Sequence, residues 1–335
     1  MRAQLIETFG EPDVFKLTSM ADPQPGPGEV VLALAATSVN PVDYKIRRHG
    51  PSIAPLLPAV LGCDVAGTVL AVGTDVTAFS VGDEVYGCAG GVAGVRGGAY
   101  AERIAADAAL LAHKPSNLSL REAAALPLVT ITAWEGLDRA GVGAGTNILI
   151  HGGAGGVGHI AIQLAKARGA TVSTTVSSDE KAAIAKRLGA DHVISYRKEE
   201  VADYVARLTG GSGFDVVFDA TGGDDIATSF AGARLNGQVV TIVSQYEADL
   251  GPMHAKGLSL HVVFMLIPML HDIGREAHGR LLRAAAALAE AGKLRPLIDT
   301  EHFALADLSR AHEKAEAGRA QGKIVIDIPG RTSTV

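Results

Sequence analysis

The stretch from Asn147 to Gly158 constrains this chain more than any other. An apolar run, Asn147-Ile-Leu-Ile150, leads straight into His151-Gly-Gly-Ala-Gly-Gly-Val-Gly158, with five glycines in eight residues. Glycine in regular structure costs about 0.5–1 kcal/mol relative to alanine. Such a concentration marks a place where the backbone turns tightly or where something must approach it closely. Gly153-Ala-Gly155-Gly-Val-Gly158 fits G-x-G-x-x-G between a strand and a helix. In that pattern the first glycine permits the turn, the second admits a pyrophosphate, and the third lets helix and strand pack closely. The helix start then offers unpaired N–H groups and a positive dipole end to the phosphates. Gly153, Gly155, Gly156, Val157 and Gly158 are therefore expected to hold a dinucleotide.

The residues beyond the loop support that expectation. Their spacing predicts helix 157–168, strand 171–176, helix 179–188, strand 192–195, helix 199–208, strand 214–219, helix 224–234, a turn at Asn236-Gly237 and strand 238–243. Strands alternating with helices imply βαβ units and a doubly wound parallel sheet, assigned here to residues 119–274. Ser119-Leu-Arg-Glu122 reads as a capping box opening a helical stretch to about Ala140. The first 118 residues differ. Arg2–Phe9, Phe15–Ser19, Val30–Ala35 and Val65–Val72 read as short strands, separated by turn signals such as Pro23, Pro25, Gly26, Pro27 and Gly28. That is the pattern of an antiparallel β domain. Residues 275–335 hold an Ala/Leu-rich helix to Ala291 and a strand, Lys323–Ile328, expected to return to the first domain.

At 335 residues the chain has room for two domains. A net charge of −6 gives no general attraction to nucleic acid or acidic membranes. Cys63 and Cys88 are too few for a disulfide framework, which points to a reducing cytoplasm. The most hydrophobic run, Val262–Leu270, is broken by Pro268 and is well short of the roughly 20 residues a membrane span needs. The first six residues alternate like a strand and have no apolar signal core. A soluble cytoplasmic protein acting on a small molecule is expected, without nucleic acid or membrane partners.

The end of the second strand decides which dinucleotide binds. An acidic residue there would hold a ribose 2′-hydroxyl and repel a 2′-phosphate. The strand ends Thr174-Thr175-Val176 and runs into Ser177 and Ser178, with Lys181 one turn further. Two hydroxyls and an ammonium suit a phosphate, so NADPH is expected over NADH. Asp179 is the competing feature, readable also as a first-turn residue favoured by the helix dipole.

Beyond the loop, Asn40-Pro-Val-Asp-Tyr-Lys45, Leu61-Gly-Cys-Asp-Val-Ala-Gly67, Val81-Gly-Asp-Glu-Val-Tyr-Gly87, Gly98-Ala-Tyr-Ala-Glu102, Leu126-Pro-Leu128, Thr132-Ala-Trp134 and Gly322-Lys-Ile-Val325 together resemble the medium-chain dehydrogenase/reductase superfamily. Within it they resemble the zinc-independent quinone oxidoreductase branch that includes zeta-crystallin. The resemblance covers nearly the whole chain. It implies a GroES-like domain, completed by the C-terminal segment, and an inserted Rossmann domain. It also implies a homodimer or tetramer, for which Leu258–Met265 is a candidate sixth, edge strand. By resemblance, Asn40, Tyr44 and Lys45 lie near the nicotinamide and Thr132 contacts its ribose or amide. Tyr196 resembles the family position that stacks near the adenosine 2′-phosphate, and Gly222 and Gly223 are expected to let the adenosine ribose sit close and Lys323 to reach the cofactor. Several of these residues carry a second reading: Tyr44 as a packing aromatic, Tyr196 as a strand-end aromatic, Lys45 and Lys323 as surface cations. Asp43 reads as a helix-start residue rather than a general base.

The superfamily also contains zinc alcohol dehydrogenases. Where those resemble this chain, their first Cys is replaced by Asn40, their His-Glu pair by Cys63-Asp64, and their later Cys has no counterpart in Pro127–Thr132. Zinc needs three or four thiolate, imidazole or carboxylate ligands, and none is expected. Hydride transfer is then the cofactor's chemistry, and the protein supplies position and electrostatics. Hydride added to a quinone or α,β-unsaturated carbonyl puts negative charge on an oxygen that one or two donors can hold. Lys45 and Tyr44 are the expected donors. A zinc-type alcohol dehydrogenase, or a protein that binds NADPH without turnover, are the alternative readings.

Overall fold

In the first part of the chain, alternation of apolar and polar residues does produce antiparallel strands. The computed structural model describes residues 1–222, 226–243, 245 and 247–328. In chain order come β1 (Arg2–Ile6), β2 (Lys16–Ser19), β3 (Glu29–Val39), helix α1 (Pro41–His49), β4 (Ala59–Val60), β5 (Asp64–Val72), β6 (Glu84–Cys88), β7 (Arg103–Asp107) and β8 (Leu111–His113). β1 pairs with β2 and β4. β3 pairs with β5 and β7, β5 with β6, and β6 with β8, all antiparallel. Val30, Leu32, Val65, Val85, Tyr86 and Leu110 are buried among them.

The helical stretch expected from Ser119 to Ala140 is two helices, α2 (Leu120–Ala123) and α3 (Pro127–Arg139). Pro127 explains the break. It has no N–H to give a preceding turn, but its fixed φ suits the first position of a new helix. The capping box forms as read: Ser119 Oγ accepts from the Glu122 amide at 3.2 Å, and the Glu122 carboxylate accepts from the Ser119 amide at 2.8 Å.

Then the βα alternation begins: β9 (Asn147–His151), α4 (Gly158–Ala167), β10 (Thr171–Val176), α5 (Asp179–Arg187), β11 (His192–Ser195), α6 (Val201–Thr209), β12 (Phe214–Asp219), α7 (Ile226–Gly232), β13 (Ala233–Thr241), α8 (Gly251–Lys256) and β14 (Ser259–Val262). The six strands form one parallel sheet in the order β11-β10-β9-β12-β13-β14. This is the doubly wound Rossmann order. The strand order reverses between β9 and β12, and in such sheets the ligand crevice lies beyond the strand ends at that reversal. The Asn236-Gly237 turn turns out to be an irregularity inside β13, where Asn236 takes φ 54° and the register against β12 shifts. The preceding helix stops at Gly232, short of the expected residue 234. Leu258–Met265 does supply the sixth strand, β14, at the sheet edge.

The chain closes with α9 (Ile267–His271), α10 (Glu276–Glu290), β15 (Phe303–Ala304), α11 (Leu308–Glu316) and β16 (Ile324–Asp327). β16 joins the sheet of β3, β5, β6, β7 and β8, antiparallel to β3 with Ile324 opposite Val39. Two units result: Met1–Leu128 with Leu266–Gly292 and the segment from Pro296 on, and Val129–Met265 with Lys293–Arg295.

Candidate functional site

In the second unit the glycine loop has the geometry its sequence requires. Gly152, with φ 74°, turns the chain out of β9 in a conformation that side chains disfavour. A Cβ on Gly153 would overlap Thr174 Oγ1, and one on Gly158 would overlap the Gly152 carbonyl oxygen, which brings α4 hard against the turn. Gly155 is different. It is exposed, and a Cβ there would meet only the Gly152 oxygen, at 3.1 Å. The amides of Gly156, Val157 and Gly158 donate to no acceptor among the described residues. This is a cradle that a side chain would fill and that an anion fits: bare backbone, open donors and a helix start. After β12, the Asp219 carboxylate accepts from the amides of Thr221 and Gly222, at 3.0 and 2.9 Å, and from the Thr221 hydroxyl at 2.7 Å. Gly222 has φ 75° and no room for a Cβ beside Val243. Gly223 lies outside the described residues.

β10 and β11 run in parallel register with Val176 opposite Ser195, so Ser177 and Tyr196 leave the sheet side by side. Tyr196 is 55% exposed, a large aromatic face left open to solvent. Ser178 caps α5, its Oγ accepting from the Lys181 amide at 3.3 Å, which leaves its O–H free to donate. Lys181 is half-buried. Asp179, the competing acid, projects into solvent with its carboxylate 3.6 Å from Lys198 Nζ. Thr132 is buried on α3.

The first unit holds a different kind of site. Asn40 is the N-cap of α1 and its amide donates to Asp43 Oδ2 at 2.8 Å. Asp43 thus takes the helix-start role read from the sequence. It is buried, and burial pushes its carboxyl up to about 6 from 3.8, opposed by the Asn40 amide and the Cys63 thiol. Tyr44 and Lys45 follow on the same helix, both half-buried and neither hydrogen-bonded nor ion-paired among the described residues. Burial, with the charge of Glu316 second, raises the Tyr44 hydroxyl above its usual range.

Asn40 and Lys323 are placed differently from Tyr44 and Lys45. Both are buried, and each uses its polar atoms internally. Asn40 Nδ2 donates to Asp64 Oδ2 at 2.8 Å, and Asn40 Oδ1 accepts from Lys323 Nζ. Lys323 Nζ also donates to the Val39 carbonyl at 3.0 Å and lies 3.7 Å from Asp64 Oδ2. The surface reading of Lys323 does not fit these contacts. Asp64 receives two further bonds, from Ser38 Oγ at 2.6 Å and the Leu128 amide at 2.8 Å. Sequence reading missed this cluster. Its signal was a Lys, an Asp and a Ser at or beside the ends of mostly apolar strands, where a buried polar residue has to find partners. Cys63 and Cys88 lie beside it, buried and free, and their contact and burial raise the Cys63 thiol well above its usual range.

The family profile of zinc-binding dehydrogenases matches residues 188–326, and that of the alcohol dehydrogenase GroES-like domain matches residues 26–116. The chain is 38% identical to 2-methylene-furan-3-one reductase of Solanum lycopersicum, over 97% of this chain and 79% of that protein. It is 35% identical to the chloroplastic NADPH-dependent alkenal/one oxidoreductase of Arabidopsis thaliana, with the same coverage of 97% and 79%. Human quinone oxidoreductase is 30% identical over 97% of both chains. Among solved structures, an alcohol dehydrogenase superfamily protein of Novosphingobium aromaticivorans superposes with a TM-score of 0.93 at 42% identity, covering 98% of this chain and 100% of that one.

Proposed function

Because this chain belongs to the medium-chain dehydrogenase/reductase superfamily and is an NADPH-dependent oxidoreductase of quinones or α,β-unsaturated carbonyls, we propose that it works without a metal, Tyr44 and Lys45 holding the charge that develops on the substrate oxygen. One contrast at α1 carries this reading: the polar atoms of Asn40 are consumed internally, while among the described residues the Tyr44 hydroxyl and Lys45 ammonium are not. Bound NADPH supplies a hydride. The glycine cradle at Gly153, Gly155, Gly156, Val157 and Gly158 and the Gly222 turn would hold it, with Thr132 on its ribose or amide and Ser177, Ser178, Lys181 and Tyr196 at the 2′-phosphate. Hydride at a conjugated acceptor leaves an enolate or hydroquinone oxyanion. Two donors kept for that oxygen lower the barrier because they need no reorganisation when the charge appears.

The donor set argues against zinc despite the name of the matching profile. Asp64, one of the two potential ligands, already accepts from Ser38, Asn40 and Leu128 and faces an ammonium. Zinc needs three or four such ligands, and no group of three or more His, Cys, Asp or Glu side chains among the described residues could hold a metal ion. Turnover should therefore survive a strong chelator, with well under one zinc per chain. NADPH oxidation against quinones, alkenals and alcohols tests the substrate class. In the same assay Lys45→Ala should lower kcat by a factor of about 10²–10³ with NADPH affinity kept. Stoichiometric zinc with chelator-sensitive turnover, or unchanged turnover in both Lys45→Ala and Tyr44→Phe, overturns the reading. NADPH binding with no turnover of any acceptor would favour a binding protein.

We further propose a homodimer joined along β14. It is an edge strand, and Val262 and Phe264, 41% and 42% exposed, stand at its end. Sedimentation of wild type and Phe264→Glu checks it. A cytoplasmic location belongs to the same reading: both cysteines are free, and no helix among the described residues is long and apolar enough to cross a membrane.

A further inference from the structure

Lys323 is a buried cation of the first unit with its contacts made internally. It is 3% exposed, and the chain is shaped to put it there. Gly322 precedes it with φ 71° in a position where a Cβ would overlap the Leu297 carbonyl oxygen. The Lys323 amide donates to that carbonyl at 2.9 Å, and its own carbonyl accepts from the Asp299 amide at 2.9 Å. The side chain is thereby delivered from the residue before β16 to the end of β3, where its ammonium donates to Val39 O and Asn40 Oδ1 and pairs with Asp64 Oδ2 at 3.7 Å.

Those three oxygens lead to two helix starts. Asn40 is the N-cap of α1, the helix that carries Tyr44 and Lys45. Asp64 accepts from the amide of Leu128, in the first turn of α3, the helix that carries Thr132. Ser38 Oγ closes the cluster on Asp64 from β3. Displacing a buried cluster of this kind is costly, because it would separate the ammonium from the carboxylate in a medium of low dielectric.

We propose that Lys323 is a positioning residue for the reduction: joined to Val39, Asn40 and Asp64, it fixes the first turns of α1 and α3 and so sets the donors that α1 carries. Asn40 and Asp64 act in the same way, through geometry and without touching substrate. The proposal rests on the reading of Tyr44 and Lys45 as donors, and it replaces a cofactor contact for Lys323.

The test compares Ser38→Ala, Lys323→Met and the charge-balanced pair Lys323→Met/Asp64→Asn in steady-state turnover, NADPH titration and thermal melting. Ser38→Ala removes one bond and leaves no ion unpaired, so it keeps the test decisive where the lysine variants do not fold. The expected result is a fall in kcat of about threefold to tenfold for Ser38→Ala and about tenfold to a hundredfold for the pair, with NADPH affinity changed less than twofold. A merely structural cluster would lower the melting temperature and leave kcat per folded molecule at the wild-type value, which overturns the proposal. So does a rise in NADPH Kd of tenfold or more at unchanged saturated kcat, the mark of a cofactor contact. Failure of the donor reading looks different: full turnover in Lys45→Ala and Tyr44→Phe beside impaired cluster variants. Impaired donor variants beside fully active cluster variants remove the positioning role alone.

Discussion

The two candidate regions solve opposite problems. At the glycine loop of the second unit, the described backbone leaves donors unused: the amides of Gly156, Val157 and Gly158 meet no internal acceptor, and Gly155 lies bare. Around Asn40 in the first unit, Asp64 alone receives bonds from Ser38, Asn40 and Leu128. An open set of donors at a surface costs little, since water satisfies it until an anion takes its place. A buried set must be closed, because an unpaired polar group there costs on the order of 1–3 kcal/mol. The first region is therefore built to receive a ligand, the second to hold a shape. Substitutions in the two should differ accordingly.

The largest effect is expected inside the loop, where the same substitution should fail for two different reasons. Gly158→Ala places a methyl group against the Gly152 carbonyl. Such overpacking costs about 1–3 kcal/mol or more where backbone cannot yield, so melting temperature and NADPH binding should fall together. Gly155→Ala meets only one atom, at 3.1 Å. Its methyl group stands where the pyrophosphate must come, and NADPH Kd should rise about a hundredfold, the loss of one or two charge-assisted hydrogen bonds, with the melting temperature nearly unchanged. Calorimetry and fluorescence titration separate the two. Equal destabilisation by both would mean that the whole loop is scaffold.

In the first unit the comparison is sharpened by pH. Asp43 is held at about 6 against an ordinary 3.8, by burial first, against the Asn40 amide, the Cys63 thiol and Lys323, which favour its charge, while Asp64 adds to the rise. The folded state thus binds the Asp43 proton more tightly than the unfolded chain. The contribution is full below pH 3.8 and is lost as pH rises through 6. Spread over that interval it is worth about 3 kcal/mol. Asp43→Asn keeps an oxygen for the Asn40 amide and has no proton to lose. Relative to wild type its unfolding free energy should gain about that amount between pH 4 and pH 7 in urea titrations. A constant difference across the range would show that Asp43 carries no such charge penalty.

How much of this was legible in the sequence depends on the same division. The Rossmann sheet was readable because helix and strand periods, the glycines and the caps are all local signals: strands 171–176, 192–195 and 214–219 were read to the residue. Errors fell where a single residue overrides a period, as Pro127 does in splitting a helix and Asn236 does in bending a strand without ending it. The loop was readable because its function is a property of its own backbone. The cluster was not, because Ser38, Asp64 and Lys323 come together only when β16 pairs with β3. A lysine at position 323 looks the same in sequence whether it faces water or lies 3% exposed against a carboxylate.

The smallest effects are expected at the 2′ end of the dinucleotide site, which joins the two kinds of construction. Its groups come from an open rim, yet one of them is already used: Ser178 caps α5 through its oxygen, so Ser178→Ala removes a helix cap as well as a phosphate donor and mixes the two losses. Lys181 is the cleaner probe. Its side chain contributes charge without holding the helix, and Lys181→Ala should weaken NADPH binding about tenfold while leaving NADH almost unaffected, since NADH has no phosphate for the ammonium to meet. Asp179 should matter less still. Its carboxylate is 94% exposed and faces Lys198 at 3.6 Å, so solvent and a countercharge already screen it from the phosphate. Asp179→Ala should tighten NADPH by no more than about threefold, and less at high salt, where screening is already complete. Titration of both cofactors into the two variants at low and high salt reads these differences directly. If Asp179→Ala weakens NADH instead, the carboxylate holds a ribose hydroxyl, and the reading of Ser177, Ser178 and Lys181 as a phosphate site fails.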